Sequence, residues 1–206
     1  YITDKPEYHY LSAGKRTKEI QFNAIDPLHA ETHNLMFQLI QAVASAFPSR
    51  YIHIGCDEVD IDGYCQQRNL ESAFVWTDYV NRMADIVLGF GKIPMIWADH
   101  VVNSNLVASR LHNEIVLVEW RYDTRITDDI IPTLRHFGFD NILVAPSLAC
   151  YSDRFLPTRQ RLENTDRMVA VAKENQVNGL INTIWCPWRY LQNAMYYGIA
   201  YSACAV

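Results

Sequence analysis

Five short apolar runs, beginning at Tyr51, Ile93, Ile115, Asn141 and Gly179, are separated by stretches with helical periodicity. A strand that is apolar along its whole length is buried on both faces, as parallel strands sheathed by helices are. Leu35, Met36, Leu39, Ile40 and Val43 repeat at helical spacing before Pro48. Phe74, Val75, Tyr79, Met83, Ile86 and Val87 do so before Gly89 and Gly91. Asp26-Pro27 supplies an N-cap and a first-turn proline for the earlier helix. Further helices are predicted from Asp128 to Phe137, from Pro157 to Asn175 and from Tyr190 to Ala205, the last largely buried. Residues 1–25 lack sustained periodicity and read as a loop or connector. The expectation is a single α/β domain over 1–206 with right-handed crossovers. Alternation alone fits both a parallel barrel and an open doubly wound sheet.

The first run leads into Tyr51-Ile52-His53-Ile54-Gly55-Cys56-Asp57-Glu58-Val59-Asp60. Gly55 breaks the strand just before two adjacent carboxylates, which puts Asp57 and Glu58 where strand becomes loop. In a parallel barrel that end carries catalytic side chains. On extended backbone the two neighbours diverge, so they need not compete for one task. An arbitrary Asp-Glu pair in a loop is more often simply solvated.

His53-Ile54-Gly55-Cys56-Asp57-Glu58 resembles the His-x-Gly-Gly-Asp-Glu signature of glycoside hydrolase family 20, the β-N-acetylhexosaminidases, and is most similar to the hexosaminidase D branch. Supporting similarity, in order and spacing more than identity, runs from about Asp26 to Tyr190. The family places its Asp-Glu pair at the end of the fourth strand of a TIM (β/α)8 barrel. The resemblance therefore implies that the five runs are strands four to eight of an incomplete barrel, lacking strands one to three. An open barrel exposes a strand edge and a flank of core, so a homodimer or a complementing barrel fragment is the expected partner.

The resemblance also implies the chemistry. Family members remove terminal β-linked N-acetylglucosamine or N-acetylgalactosamine, the substrate's own 2-acetamido oxygen attacking the anomeric carbon, an exception to the usual two-carboxylate scheme. Glu58 would be the general acid and then base, its pKa raised by burial or by a nearby carboxylate. Asp57 would accept a hydrogen bond from the acetamido N–H. His53 would support the pair from the strand or be a satisfied core histidine. Trp97 in Ile96-Trp97-Ala98-Asp99 resembles the branch's Trp-Asp-Asp, with Asp99 at its second acidic position. Glu119-Trp120-Arg121-Tyr122-Asp123 resembles its Trp-x-Tyr stretch, Tyr122 being the candidate donor to the acetamido carbonyl. Thr183-Ile184-Trp185 resembles its Thr-Gly-Trp, Trp185 forming the pocket floor, with Trp188, Arg189 and Tyr190 contacting sugar or capping the helix. Trp97 could equally pack a core, but its place at a strand's C-terminal end favours the site, and for Tyr122 a wall-packing role stands beside the donor role. Cys186 and Pro187 stand where the family's glutamate is usual, and the family's first-strand arginine has no counterpart.

The substrate implied is an amino-sugar glycoside or glycoconjugate. A net charge of −5 with no basic tract argues against nucleic acid. No run approaches the roughly 18 apolar residues of a membrane span. Five cysteines without Cys-x-x-Cys spacing signal neither zinc site nor disulfide framework, and favour a soluble intracellular protein with free thiols. No cofactor is expected. Two other readings remain: a glycan-binding or structural fragment that cannot turn over, and a barrel enzyme with Asp57 or Glu58 and His53 on a metal, although that spacing fits no standard metal motif.

Overall fold

The computed structural model describes residues 2–13, 24–124, 129–150, 153, 155–185 and 190–206. After two 3-10 helices, Ile2–Asp4 and Pro6–Leu11, the elements run α1 (Ala30–Ala46), β1 (Tyr51–His53), α2 (Asp62–Gln66), α3 (Ser72–Gly89), β2 (Ile93–Trp97), α4 (Asp99–Asn103), α5 (Asn105–Ala108), β3 (Val116–Trp120), α6 (Ile130–His136), β4 (Ile142–Ala145), β5 (Ser147–Ala149), α7 (Arg159–Glu174), β6 (Gly179–Leu180), β7 (Thr183–Ile184) and α8 (Gln192–Ala205). All five anticipated runs contain strands. The chain divides into two compact units, Tyr1–Ile96 with Asn103–Ile115, and Trp97–Val102 with Val116–Val206.

In the first unit β1 and β2 pair in parallel, Tyr51 opposite Ile93 and His53 opposite Met95. One further rung, Ile54 N–H to the Met95 carbonyl at 2.9 Å, carries the pairing up to the edge of the signature loop. Ile52 on β1 is buried with Ile40 of α1 and with Met83 and Val87 of α3, and Met36, Ile54, Tyr79, Ile86 and Phe90 pack around them. Each such side chain contributes about 1.5–3 kcal/mol when fully buried. Lys92 ties the end of α1 to this core through hydrogen bonds from Nζ to the carbonyls of Phe47 and Ser49. The first helix starts later than Asp26-Pro27 implies. Asp26 Oδ1 accepts from Leu28 N–H at 2.9 Å and from the Tyr64 hydroxyl at 2.6 Å, so it closes a turn, and His29 caps the helix instead.

In the second unit β3 pairs with β4 and β4 with β6, all parallel, while β5 pairs with β7. The chain leaving β2 belongs here, Ala98 N–H donating to the Val118 carbonyl at 3.0 Å. The last apolar run is thus two strands, not one. Residues on α7 pack against β4, β5 and α8. Gly198 lets α8 approach closely, since a β-carbon there would stand 3.4 Å from that of Leu148. The expected burial of this last helix is not found, with Tyr196 and Tyr197 more than half exposed. Its apolar residues run all round the helix, whereas only the face carrying Gly198 and Ser202 is covered.

Candidate active site

The signature loop folds by local hydrogen bonding. His53 Nδ1 accepts from Gly55 N–H at 3.0 Å, and the Cys56 thiol lies 3.5 Å from the Ile54 carbonyl. Gly55 turns at φ 78°, followed by Cys56 at φ 73° and Glu58 at φ 49°. Glu58 is therefore in the left-handed region, not on the extended backbone expected from the sequence. Each non-glycine residue held there costs about 1–2 kcal/mol, a cost that clusters at functional loops. At Gly55 the constraint is the backbone angle, since an added β-carbon would meet only Asp57 Oδ1, at 3.9 Å. Gly55→Ala is expected to lower stability by about 1 kcal/mol in urea denaturation, a loss that no rearrangement of neighbours can recover.

His53 leaves part of its surface exposed, yet the groups packed around the ring lower its pKa to about 4 by disfavouring the cation. The hydrogen bond into Nδ1 independently requires a neutral ring. Asp57 is half-buried. Glu58 is exposed, so burial, one of the two influences expected on it, is not found.

In the second unit the aromatic candidates come together. Ring centroids of Trp97 and Trp185 are 6.2 Å apart, those of Trp120 and Tyr122 5.1 Å, and those of Tyr122 and Trp185 6.5 Å, all tilted. Such spacings are those at which aromatic pairs attract. Trp185 Nε1–H donates to the Tyr122 hydroxyl at 2.8 Å, and a phenol that accepts in this way can still donate its own proton. Trp97 ends β2, Trp120 ends β3, and Tyr122 and Trp185 follow β3 and β7, so all four stand at the C-terminal ends of parallel strands.

Asp99 is buried beside His100, 3.8 Å between Oδ2 and Nε2. Glu119, quoted above without a role, is 3 % exposed and has Arg121 Nη1 at 3.2 Å from Oε1, without hydrogen-bond geometry at either oxygen. Burial, reinforced by the Asp99 charge and opposed by Arg121, pushes its pKa up to about 7. A carboxylate in the middle of an apolar strand was the signal that it differs from its neighbours. Tyr190 donates its hydroxyl to the Cys150 carbonyl and so fastens a loop. Cys186, Pro187, Trp188 and Arg189 lie outside the described residues. Among the described residues no group of three or more His, Cys, Asp or Glu is placed to hold a metal ion, and no helix is long and apolar enough to cross a membrane.

The aromatic side chains thus gather at the ends of parallel strands. Residues 3–185 match the catalytic domain of glycosyl hydrolase family 20, and the chain belongs to that family. It is 26% identical over 137 residues to the mouse β-hexosaminidase subunit alpha, a match covering 61% of this chain and 25% of that protein. The subunit beta of the same organism is 24% identical over 96 residues, 41% of this chain and 18% of that protein. The fold is similar to the exo-β-N-acetylglucosaminidase of Vibrio harveyi, with a TM-score of 0.65 and 18% identity over 92% of this chain and 33% of that one. Dispersin B gives a TM-score of 0.60 and 16% identity over 97% of this chain and 63% of that one. The α/β class is thus the (β/α)8 barrel type, incomplete in this chain, rather than a doubly wound sheet. The chain spans a quarter or less of the length of the curated relatives it matches.

Proposed function

We propose that the chain is catalytic machinery of an exo-β-N-acetylhexosaminidase acting on terminal β-linked N-acetylglucosamine or N-acetylgalactosamine. The observation that carries this is the Asp57-Glu58 pair directly after a parallel strand in a chain of family 20. Glu58 protonates the departing oxygen and then activates water. Asp57 accepts from the acetamido N–H and steadies the positive charge that forms when the substrate's own carbonyl oxygen closes on the anomeric carbon. Trp97, Trp120 and Trp185 offer faces to the sugar's apolar side, and Tyr122 offers a hydroxyl to the acetamido oxygen. His53 and Asp99 act through their neighbours, His53 by shaping the signature loop. No cofactor enters this scheme. A homodimer or a complementing barrel fragment would cover the exposed Tyr51, Phe37 of α1 and Phe47 just after it.

Release of 4-nitrophenol from its N-acetyl-β-glucosaminide by this chain tests the proposal. Asp57→Ala is expected to slow that reaction by about 10- to 100-fold, the worth of a hydrogen bond to a charged group, and to leave a 2-hydroxy glucoside nearly unaffected. Equal losses on both substrates would remove Asp57 from the acetamido group. The exposure of Glu58 favours a second reading, a glycan-binding fragment, which predicts saccharide binding with no release of nitrophenol.

A further inference from the structure

Arg161 and Asn164 lie in the first two turns of α7, 4 % and 0 % exposed. Asn164 Nδ2 donates to the carbonyls of Arg121 and Asp123, both at 2.8 Å, and Arg161 Nη1 donates to the Tyr122 carbonyl at 2.7 Å. Three successive carbonyls of the loop after β3 are therefore held from one helix. Asp153 takes the rest of the guanidinium, Nε at 2.9 Å and Nη2 at 3.4 Å, and also accepts from Cys150 N–H at 2.8 Å. Asn164 Oδ1 accepts from Ser147 N–H at 3.0 Å. Arg161 thus fastens the loop after β3 to the loop after β5, and Asn164 fastens it to the first residue of β5. An arginine fork has fixed directions, so where Asp153 holds two of its donors the third fixes the Tyr122 backbone.

We propose that Arg161 and Asn164 are positioning residues for the aromatic wall: by holding the carbonyls of residues 121–123 they set the Tyr122 hydroxyl against Trp185 Nε1–H, and through it the affinity for a 2-acetamido sugar. The affinity half rests on the function proposed above, whereas the placement of Trp185 does not. A buried ion pair that merely stabilised the fold would change melting temperature and leave the Trp185 indole alone.

The test is Arg161→Lys, which keeps a positive charge opposite Asp153 but cannot hold that carboxylate and the Tyr122 carbonyl in one rigid fork. The Trp185 indole N–H resonance is followed by NMR in the free protein and during titration with N-acetylglucosamine, alongside thermal unfolding. The resonance should move in the free variant, and affinity should fall about tenfold, the effect of one hydrogen bond. In a Tyr122→Phe background the same substitution should weaken binding little further, because both act through one contact. An unmoved indole resonance in a folded variant overturns the proposal. Should Arg161→Lys lose cooperative unfolding, Asn164→Ala, an uncharged truncation that removes the two flanking bonds together with the one from Ser147 N–H, decides by the same resonance. If the unaltered protein gives no response to the sugar, the proposed function fails, and the resonance in the free variants still decides the positioning role.

Discussion

Glu58→Gln is expected to cut release of nitrophenol from the N-acetyl-β-glucosaminide by about 10²- to 10⁴-fold, the range for loss of a positioned proton donor. Glutamine matches the shape of a protonated glutamate but cannot give up a proton. Because Glu58 is exposed, the substitution removes little packing, and stability should stay within about 0.5 kcal/mol. The dependence on leaving group separates the acid role from damage to the loop. A dinitrophenolate departs without protonation, so the variant should lose far less on that substrate. A uniform loss across leaving groups would mean that Glu58 matters for the shape of the loop and not for proton transfer.

The second large effect concerns Glu119. Its pKa is about 7 in the folded chain against 4.5 for an unperturbed glutamate. Below pH 4.5 both folded and unfolded chains carry the proton, and the stabilisation that goes with the raised value is fully present. Between 4.5 and 7 the unfolded chain releases the proton while the folded chain keeps it, so stability falls as pH rises. A shift of this size corresponds to roughly 3 kcal/mol lost across that window. The charged groups facing Glu119 are Arg121 and Asp99, the latter beside His100. Glu119→Gln keeps the shape and removes this titration, while His53, whose lowered pKa gives a slope of the opposite sign, titrates in both proteins; urea denaturation should therefore show the unaltered chain gaining on the variant by roughly 3 kcal/mol when pH is lowered from 8 to 4.5. The same slope in both proteins would mean that another group is responsible.

The strand runs were legible because apolar continuity over four or five residues is a local property, and burial of β2, β3 and β4 followed from it. The split of the last run was not, since Gly179–Leu180 and Thr183–Ile184 pair with different partners and only tertiary contacts decide that. Asp26 carried a valid capping signal, but Leu28 and Tyr64 took its carboxylate, and Tyr64 is 38 residues away. The candidate aromatics were legible as residue types at strand ends, and Trp97, Trp120, Tyr122 and Trp185 do meet. Arg161 and Asn164 were hidden, because buried polar residues in a polar helix look like its solvated face until their partners are known. Left-handed Glu58 was hidden too, since nothing in an Asp-Glu pair announces that backbone.

The pairing of β5 with β7 shifts between Ser147 opposite Thr183 and Ala149 opposite Ile184, so β5 carries one residue, Leu148, that β7 does not match. Leu148 is the residue that meets Gly198, and the Ala149 carbonyl accepts from Trp185 N–H at 3.0 Å. Removing or duplicating a residue here would invert the side-chain alternation of everything up to Cys150 and swing that carbonyl away from the tryptophan. Chimeras with other members of the family should accordingly place their crossover points outside residues 146–150, and libraries that vary segment length will find this stretch intolerant even where its side chains can be exchanged.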